Sequence, residues 1–380
     1  MFLANSHDHW QAQFVQERTR LLAALGELTE GGVVEHVQHI GATSVPGLPA
    51  RPCIDIGLSV WPFPLEARCR AALESLGYTF VSGHEDAAEL RLRHATGPRS
   101  ADDSVSCTPG TGDFQLWIAE AGTERWTNYL LVRDHLSHDA EARRTYAARK
   151  QAWATEGDRP STEVRTVKAQ AFAEMIDAAG QWWVRQHGFA PVEAVADELK
   201  DFGSPWYISS GWALDLFLGQ VTRVHHDVDV VVSRGDQLAL QQRLTARDWK
   251  LLTPFEHRLE PWPSHMRLEL PRHQVHAHRD GAFIDLLLAD VEPGVWRYRR
   301  EPTIIRAVDR MSLRTEAGIP FLAPELVLLF KSKNTSDRQR RKDEADFERV
   351  HPRLEPERRA WLRWALMATN STHPWLERLV

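Results

Sequence analysis

Three carboxylates in the second half of the sequence have the pattern that divalent-cation chemistry requires. Asp227 and Asp229 stand two apart in the run HHDVDVVV, which reads as a strand. Residues two apart in a strand share a face, so both carboxylates are expected on one side. Side by side they repel unless a cation lies between them. Hard oxygen ligands of this kind suit Mg²⁺, which takes one or two protein carboxylates plus substrate phosphates, and a nucleoside triphosphate is the co-substrate that fits. A third acid, Asp285, interrupts the apolar run AFIDLLLAD. An ionised group there is costly to bury unless it faces a metal or a pocket. If the two strands are neighbours, Asp285 can bind the same metal or take the proton from an attacking hydroxyl.

Upstream, Ser210 and Gly211 lie where a strand turns into a helix. A helix N-terminus offers free N–H groups and a positive dipole end to phosphate oxygens, and glycine lets the backbone approach closely. A Ser-Gly pair alone is commonly a turn, and an Asp-x-Asp alone is often a solvated strand end. Their occurrence in this order, followed by Asp285, favours the catalytic reading. Arg223 can hold a phosphate or pair with a nearby acid. His225 and His226 sit beside the acids, but imidazole is not a natural partner of Mg²⁺, so a supporting role is expected. Asp215 is assigned to structure. The segment EPWPSHM offers an aromatic that either lines an acceptor pocket or packs. In the last long helix, Trp361, Leu362, Trp364 and Ala365 are explained by core packing.

The elements that must position these groups follow from patterning. The chain has 380 residues, 43% hydrophobic and 26% charged, which is too long for one comfortable core, and two domains are expected, 1–188 and 189–380. The net charge of -6 argues against a broad electrostatic grip on nucleic acid. Cys53, Cys69 and Cys107 have no disulfide-framework or zinc spacing, which fits a reducing cytosol. No run of about 18 apolar residues occurs, so no membrane span is expected.

Apolar spacing predicts a first helix over His7 to Leu28, strands at VVEHVQHI and CIDIGLSV around a Gly/Pro-rich turn, a helix over Leu65 to Leu76, strands at LRLRHAT and FQLWIAE, and helices from Glu124 to His187 broken near Gly157 to Pro160. A second series then begins. Pro191 opens a helix, WYIS is a strand, GWALDLFLG a helix stopped by Gly219, DVDVVVS a strand, Asp236 to Arg247 a helix, and SHMRLEL, QVHAHRD and AFIDLLLAD strands. The remainder is expected to be mostly helical, including APELVLLFKSK and RKDEADFERV. Both halves begin helix, strand, Gly-containing turn, strand with an Asp. The fold class expected is α+β, two related domains with a small mixed sheet flanked by helices.

Two resemblances rest on these residues. SSGWALDLFLGQVTRVHHDVDVVV, Ser209 to Val232, resembles the DNA polymerase β-type nucleotidyltransferase superfamily in the form found in 2″-aminoglycoside and lincosamide nucleotidyltransferases. That form implies Mg²⁺ held by Asp227 and Asp229, Asp285 as metal ligand or base, and nucleotide contacts from Ser210, Gly211, Arg223 and Lys331. Lys333 is placed toward the phosphates as well, and Asp343 and Asp346 are given structural or substrate-facing roles. The implied reaction moves AMP from ATP to the hydroxyl of a small molecule. Alternatives are transfer to RNA or protein, or nucleotide binding without turnover. HIGATSVPGLPARPCIDIGLSV, His39 to Val60, and NYLLVRDHLSHDAEARRTYAARKQAW are similar to the GrpB-like family of the same superfamily. There, Gly57 stands where a second acid would be, and Gln115 and Trp117 supply no third. The first domain is therefore expected to be non-catalytic, although Gly41, Thr43, Ser44 and Arg51 offer donors to an anion.

Overall fold

Alternation of side chains decides what each central strand presents to its two faces. In Cys53–Val60, residues Ile54, Ile56, Leu58 and Val60 are almost fully buried against one core, leaving Asp55 and Gly57 on the other side. In Val228–Ser233, Val228, Val230 and Val232 are buried in the same way, which turns Asp229 and Val231 to the opposite face. A computed structural model describes residues 3–4, 6–25, 34–60, 63, 67–84, 89–94, 113–120, 123–155, 162–255, 258–279, 282–333 and 337–380. Cys107 and the expected break at 157–160 lie outside the described residues.

The chain divides into two compact units, Met1–Arg185 with Glu256–Glu260, and Gln186–Phe255 with Pro261–Val380. In the first, α1 (His7–Ala24) is followed by β1 (Val34–Ile40), β2 (Cys53–Val60), α2 (Ala67–Ser75), β3 (Thr79–His84), β4 (Glu89–His94) and β5 (Asp113–Glu120). Three helices follow, α3 (Glu124–His138), α4 (Ala140–Thr155) and α5 (Thr162–His187). The break at Asp139 was not expected from periodicity. The Asp139 carboxylate accepts the N–H groups of Glu141 and Ala142, both at 2.9 Å, and so starts α4. The sheet order is β1-β2-β5-β4-β3, with β2 and β5 parallel and the other pairs antiparallel. Trp10, Phe14, Leu21 and Leu25 close its core.

The second unit carries α6 (Ala190–Leu199), β6 (Trp206–Ile208), α7 (Ser210–Leu218), β7 (Val228–Ser233), α8 (Gln237–Thr245) and β8 (Lys250–Phe255). After β9 (Arg258–Pro261) come β10 (Gln274–Arg279), β11 (Ala282–Ala289), β12 (Val291–Glu292), β13 (Val295–Arg297), β14 (Ile305–Ala307), β15 (Ser312–Arg314) and β16 (Pro320–Leu322). The chain ends in α9 (Pro324–Lys331), α10 (Asp337–Val350) and α11 (Pro356–Thr369). Strands β15, β16, β6, β7, β11, β10 and β8 lie side by side in that order. β6 is antiparallel to β7, β7 parallel to β11, and β11 antiparallel to β10. This is the arrangement of β1, β2, β5 and β4 in the first unit. The fold is α+β, two mixed sheets flanked by helices.

Two expectations about the second unit are corrected. SHMRLEL is not a strand, because its polar backbone is taken by side chains. The Leu268 N–H donates to Gln237 Oε1 at 2.6 Å, and the Leu268 carbonyl accepts from Arg234 and Gln237. Nor is the remainder mostly helical, since residues 291 to 322 form five short strands, three of them a separate small sheet. These strands are two or three residues long, too short to show a period, and Gly294 and Gly318 take positive φ of 81° and 84° at the turns between them. In α11, Leu362 and Ala365 are fully buried as expected, whereas Trp364 faces solvent.

Candidate active site

Parallel pairing of β7 with β11 sets Asp229 directly opposite Asp285. Asp227 precedes β7 by one residue, and its carbonyl accepts the Trp212 indole N–H at 2.9 Å. Carboxylate oxygens of Asp227, Asp229 and Asp285 all lie within 4.8 Å of one another. Burial raises the pKa of each. Asp229 is pushed up to about 7 by burial and by the neighbouring Asp227 charge, and Asp285 is raised by burial and by both other acids. Burial also raises Asp227, with Lys342 and Arg223 opposing it. Gln274 donates to one Asp285 oxygen at 2.7 Å, and the other is buried with no partner. An unpaired buried carboxylate oxygen between two further acids suits a hard divalent cation, so these residues fit Mg²⁺.

Ser210 begins α7 with φ of 52°. Its hydroxyl donates to Asp229, and the neighbouring Ser209 N–H donates to the Asp229 carbonyl at 2.8 Å, tying the helix start to the acid strand. At Gly211 no side chain fits, since a Cβ would run into the His225 ring and the Arg223 guanidinium. Gly219 stops the helix at φ of 71°.

The loop between α7 and β7 is held by one buried acid. Asp215 accepts the Thr222 hydroxyl at 2.6 Å, the Thr222 N–H at 3.1 Å and His225 Nε2 at 2.7 Å. Arg223 donates to His225 Nδ1 at 3.0 Å, which fixes the proton on Nε2. Burial lowers the His225 pKa to about 4, and the ring stays neutral, stacked 4.3 Å from Trp212. His225 thus positions the loop and stands outside the carboxylate group.

Arg223 and Lys331 converge on a second acid pair. Lys331 bonds Asp343 at 2.7 Å and Asp346 at 2.9 Å, and Arg223 reaches Asp346 at 3.3 Å. Burial opposes ionisation of Asp346, but Lys331 and Arg223 outweigh it and hold the group at about 2. Lys331 also lines a cavity of about 270 Å³ with Ser209, Ser210 and Asp229.

That cavity contains groups the sequence reading missed. Trp296 and Phe330 supply aromatic surface, and His273, Arg297, Arg299 and Arg300 add basic groups. The basic and aromatic run VWRYRRE after β11 is a signal for Trp296, Arg297, Arg299 and Arg300, whereas His273 and Phe330 lie outside it. Trp262 of EPWPSHM packs instead of lining a pocket: it is buried and donates its indole N–H to the Met266 carbonyl at 2.8 Å, closing its own turn.

The corresponding place in the first sheet differs. Asp55 pairs with Gln115 across β2 and β5 as Asp229 pairs with Asp285. Gly41, with φ of 70°, follows β1 as Ser210 follows β6. This register puts Cys53, not Gly57, at the place of Asp227. Gly57 is a packing position, where a Cβ would sit 2.9 Å from the Trp126 ring. The Thr43 hydroxyl is bonded to His39 at 3.0 Å and the Ser44 hydroxyl donates to the Gly41 carbonyl at 2.6 Å, so both are used inside the turn.

Comparison with known proteins separates the two halves. Residues 1–178 match the family described as GrpB protein, and residues 191–315 match the family described as aminoglycoside-2″-adenylyltransferase. A UPF0157 protein of Streptomyces coelicolor is 35% identical over 150 residues, 40% of this chain and 68% of that protein. Another, from Halalkalibacterium halodurans, is 31% identical over 170 residues, 45% of this chain and 77% of that protein. Among solved structures, GrpB from Enterococcus faecalis is similar at 22% identity, covering 47% of this chain and 96% of that one with a TM-score of 0.36. The lincosamide antibiotic adenylyltransferase LnuA, bound to lincomycin, is similar at 14% identity, covering 42% of this chain and 94% of that one with a TM-score of 0.32. Among the described residues no helix is long and apolar enough to cross a membrane.

Proposed function

We propose, for a chain that belongs to the UPF0157 (GrpB) family through its first half and resembles aminoglycoside-2″-adenylyltransferases through its second, that the second half is a Mg²⁺-dependent nucleotidyltransferase. The reaction moves a nucleoside monophosphate, AMP from ATP, to a hydroxyl of a small molecule of aminoglycoside or lincosamide type. The observation that carries this reading is the convergence of Asp227, Asp229 and Asp285, whose oxygens approach within 4.8 Å.

Asp227 and Asp229 would hold the metal, with Asp285 as a further ligand or as the base for the acceptor hydroxyl. Bound there, Mg²⁺ would offset charge on the triphosphate and align attacking and leaving oxygens. Ser210 orients Asp229 through its hydroxyl, and the N–H groups at the start of α7 face phosphate oxygens. Lys331 places positive charge on the cavity wall. Arg223 adds to it from behind while bracing the loop that carries Asp227. Phe330, backed by the buried Trp296, gives the cavity apolar surface for a flat ring.

The test is incubation of the full chain with each labelled nucleoside triphosphate and Mg²⁺ against a panel of aminoglycosides, lincosamides, other hydroxyl compounds, tRNA and protein extract. Pyrophosphate release with a labelled small-molecule product is expected. Triphosphate left intact across the whole panel, with no nucleotide binding, would overturn the reading. A labelled RNA or protein would overturn the acceptor class alone.

A further inference from the structure

The first unit retains a group of charged residues that the proposed transfer does not use. Asp55 sits on the β2 face turned away from the core. The Trp117 indole N–H donates to it at 2.8 Å, and Gly41 lies so close that a Cβ there would overlap the carboxylate. Without an acid at position 53 or 115, Asp55 has none of the acid neighbours that Asp229 has, and one carboxylate does not support two-metal chemistry. Three cations, Arg51, Lys150 and Arg91, are near enough to act electrostatically on Asp55.

These cations come from separate elements. Arg51 leads into β2 and is exposed, Arg91 is on β4, and Lys150 is on α4. Arg91 lies 4.9 Å from the Trp117 ring and donates to Gln115 at 2.8 Å, while its Nε is buried with no partner. The Lys150 ammonium is 5.6 Å from the Tyr146 ring, and among the described residues it makes no hydrogen bond or ion pair. A half-buried ammonium with no hydrogen bond or ion pair is costly, and a neighbouring cation adds to the cost. Burial is the main cause that draws Lys150 down to about 8, with Asp55 opposing and Arg51 assisting. Such a cost is relieved by an anion. A carboxylate ligand brings one charge, whereas a phosphate brings up to two and three acceptor oxygens, enough to engage several cations.

We propose that the first unit holds a metal-independent seat for a phosphate group, formed by Lys150, Arg51 and Arg91 around Asp55. In it the Lys150 ammonium does the work that a divalent ion would do beside a full set of acids. The Trp117 indole N–H holds Asp55 in place, and the Gln115 side chain does the same for Arg91. The signature around Gly41 and the helical signature around Tyr146 thus meet at one site. The ligand class is a phosphate ester or polyphosphate, bound through its phosphate.

The experiment uses the full chain in EDTA and, in parallel, in Mg²⁺. Limiting acetic anhydride is applied with and without inorganic pyrophosphate, or ATP in a parallel arm, and modification of Lys150 is read by peptide mass spectrometry. At least fivefold protection of Lys150 is expected in both arms. Arg51→Ala should abolish protection and Arg51→Lys should keep most of it. Asp229→Asn, in the other sheet, should leave protection unchanged. No protection at millimolar pyrophosphate and ATP, protection that requires Mg²⁺, or protection equal in wild type and a folded Arg51→Ala variant would overturn the proposal. So would loss of protection in Asp229→Asn.

Discussion

Asp229 and Asp285 face each other in register across two parallel strands, with no ion pair between either carboxylate and a basic side chain among the described residues. Parallel register fixes this opposition through the backbone, so the two acids cannot move apart without breaking the ladder.

The first prediction follows from that repulsion. Asp227→Asn, Asp229→Asn and Asp285→Asn should each lower nucleotidyl transfer by at least a hundredfold while leaving the melting temperature of the metal-free protein unchanged or raised. The first two should also lose the thermal shift given by Mg²⁺ with nucleotide, since a ligand stabilises only the state that binds it. Asp285→Asn should keep part of that shift if its main task is proton transfer. Melts with and without Mg²⁺ and ATP, run beside the transfer assay, distinguish these outcomes. Strong destabilisation of all three metal-free variants would favour a purely structural triad.

A second prediction concerns Ser210. Its φ of 52° is the left-handed region that glycine occupies without steric cost, whereas other residues lose about 1 kcal/mol or more. Ser210→Gly relieves that strain and Ser210→Ala does not, yet both remove the hydroxyl bonded to Asp229. Denaturant titration should therefore find the Gly variant more stable than the Ala variant by about 1 kcal/mol. Equal stabilities would show that the turn carries no strain.

Gly211 gives the opposite expectation. A Cβ there meets His225 and Arg223, both already fixed by Asp215 and Asp346, so neither can yield freely. Gly211→Ala should cost about 1–3 kcal/mol, the range of overpacked sites, and should lower transfer more than Ser210→Gly does. Thermal melts and the transfer assay check it, and a fully stable, fully active variant would refute it.

Acid stability tests the Asp346 network. Its pKa is depressed in the folded chain, from an ordinary 3.8 to about 2. A depressed carboxylate contributes stability that is fully present above its unfolded pKa and is lost as pH falls through the folded value, here between about pH 4 and 2. Asp346→Asn should remove that slope. It should also destabilise the protein near neutral pH by roughly 3 kcal/mol, because Lys331 and Arg223 lose a buried partner. Unfolding curves from pH 7 to 2 measure both effects.

Much of the site was legible in the sequence because its determinants are local. Ser210, Gly211, Asp227 and Asp229 lie within one strand-turn-helix-strand passage, and Asp285 betrayed itself as an acid in an apolar run. The pairing of Lys331 with Asp343 and Asp346 was not legible, since α9 and α10 each read as ordinary amphipathic helices. The part of the cavity wall at Trp296 and Arg297 was missed for a different reason, as strands of two or three residues leave no periodic trace. SHMRLEL misled because its alternation is real, yet Gln237 and Arg234 claim the backbone groups a strand would need. In the first sheet, sequence adjacency pointed to Gly57 as the missing acid, and only the cross-strand register identified Cys53.

The shared strand order of the two sheets also carries a historical consequence. Descent from one duplicated ancestor would explain why Asp55 and Asp229, and Gln115 and Asp285, occupy matching register positions. On that account the copies diverged by exchanging a few side chains on a retained scaffold. Reversion would not be a matter of two codons. Restoring acids at 53 and 115 would leave the Trp117 indole on Asp55 and would set Arg91 beside a new carboxylate that it would neutralise in place of a metal. On that account Trp117 and Arg91, the neighbours of Asp55 and Gln115, would have to change together with positions 53 and 115.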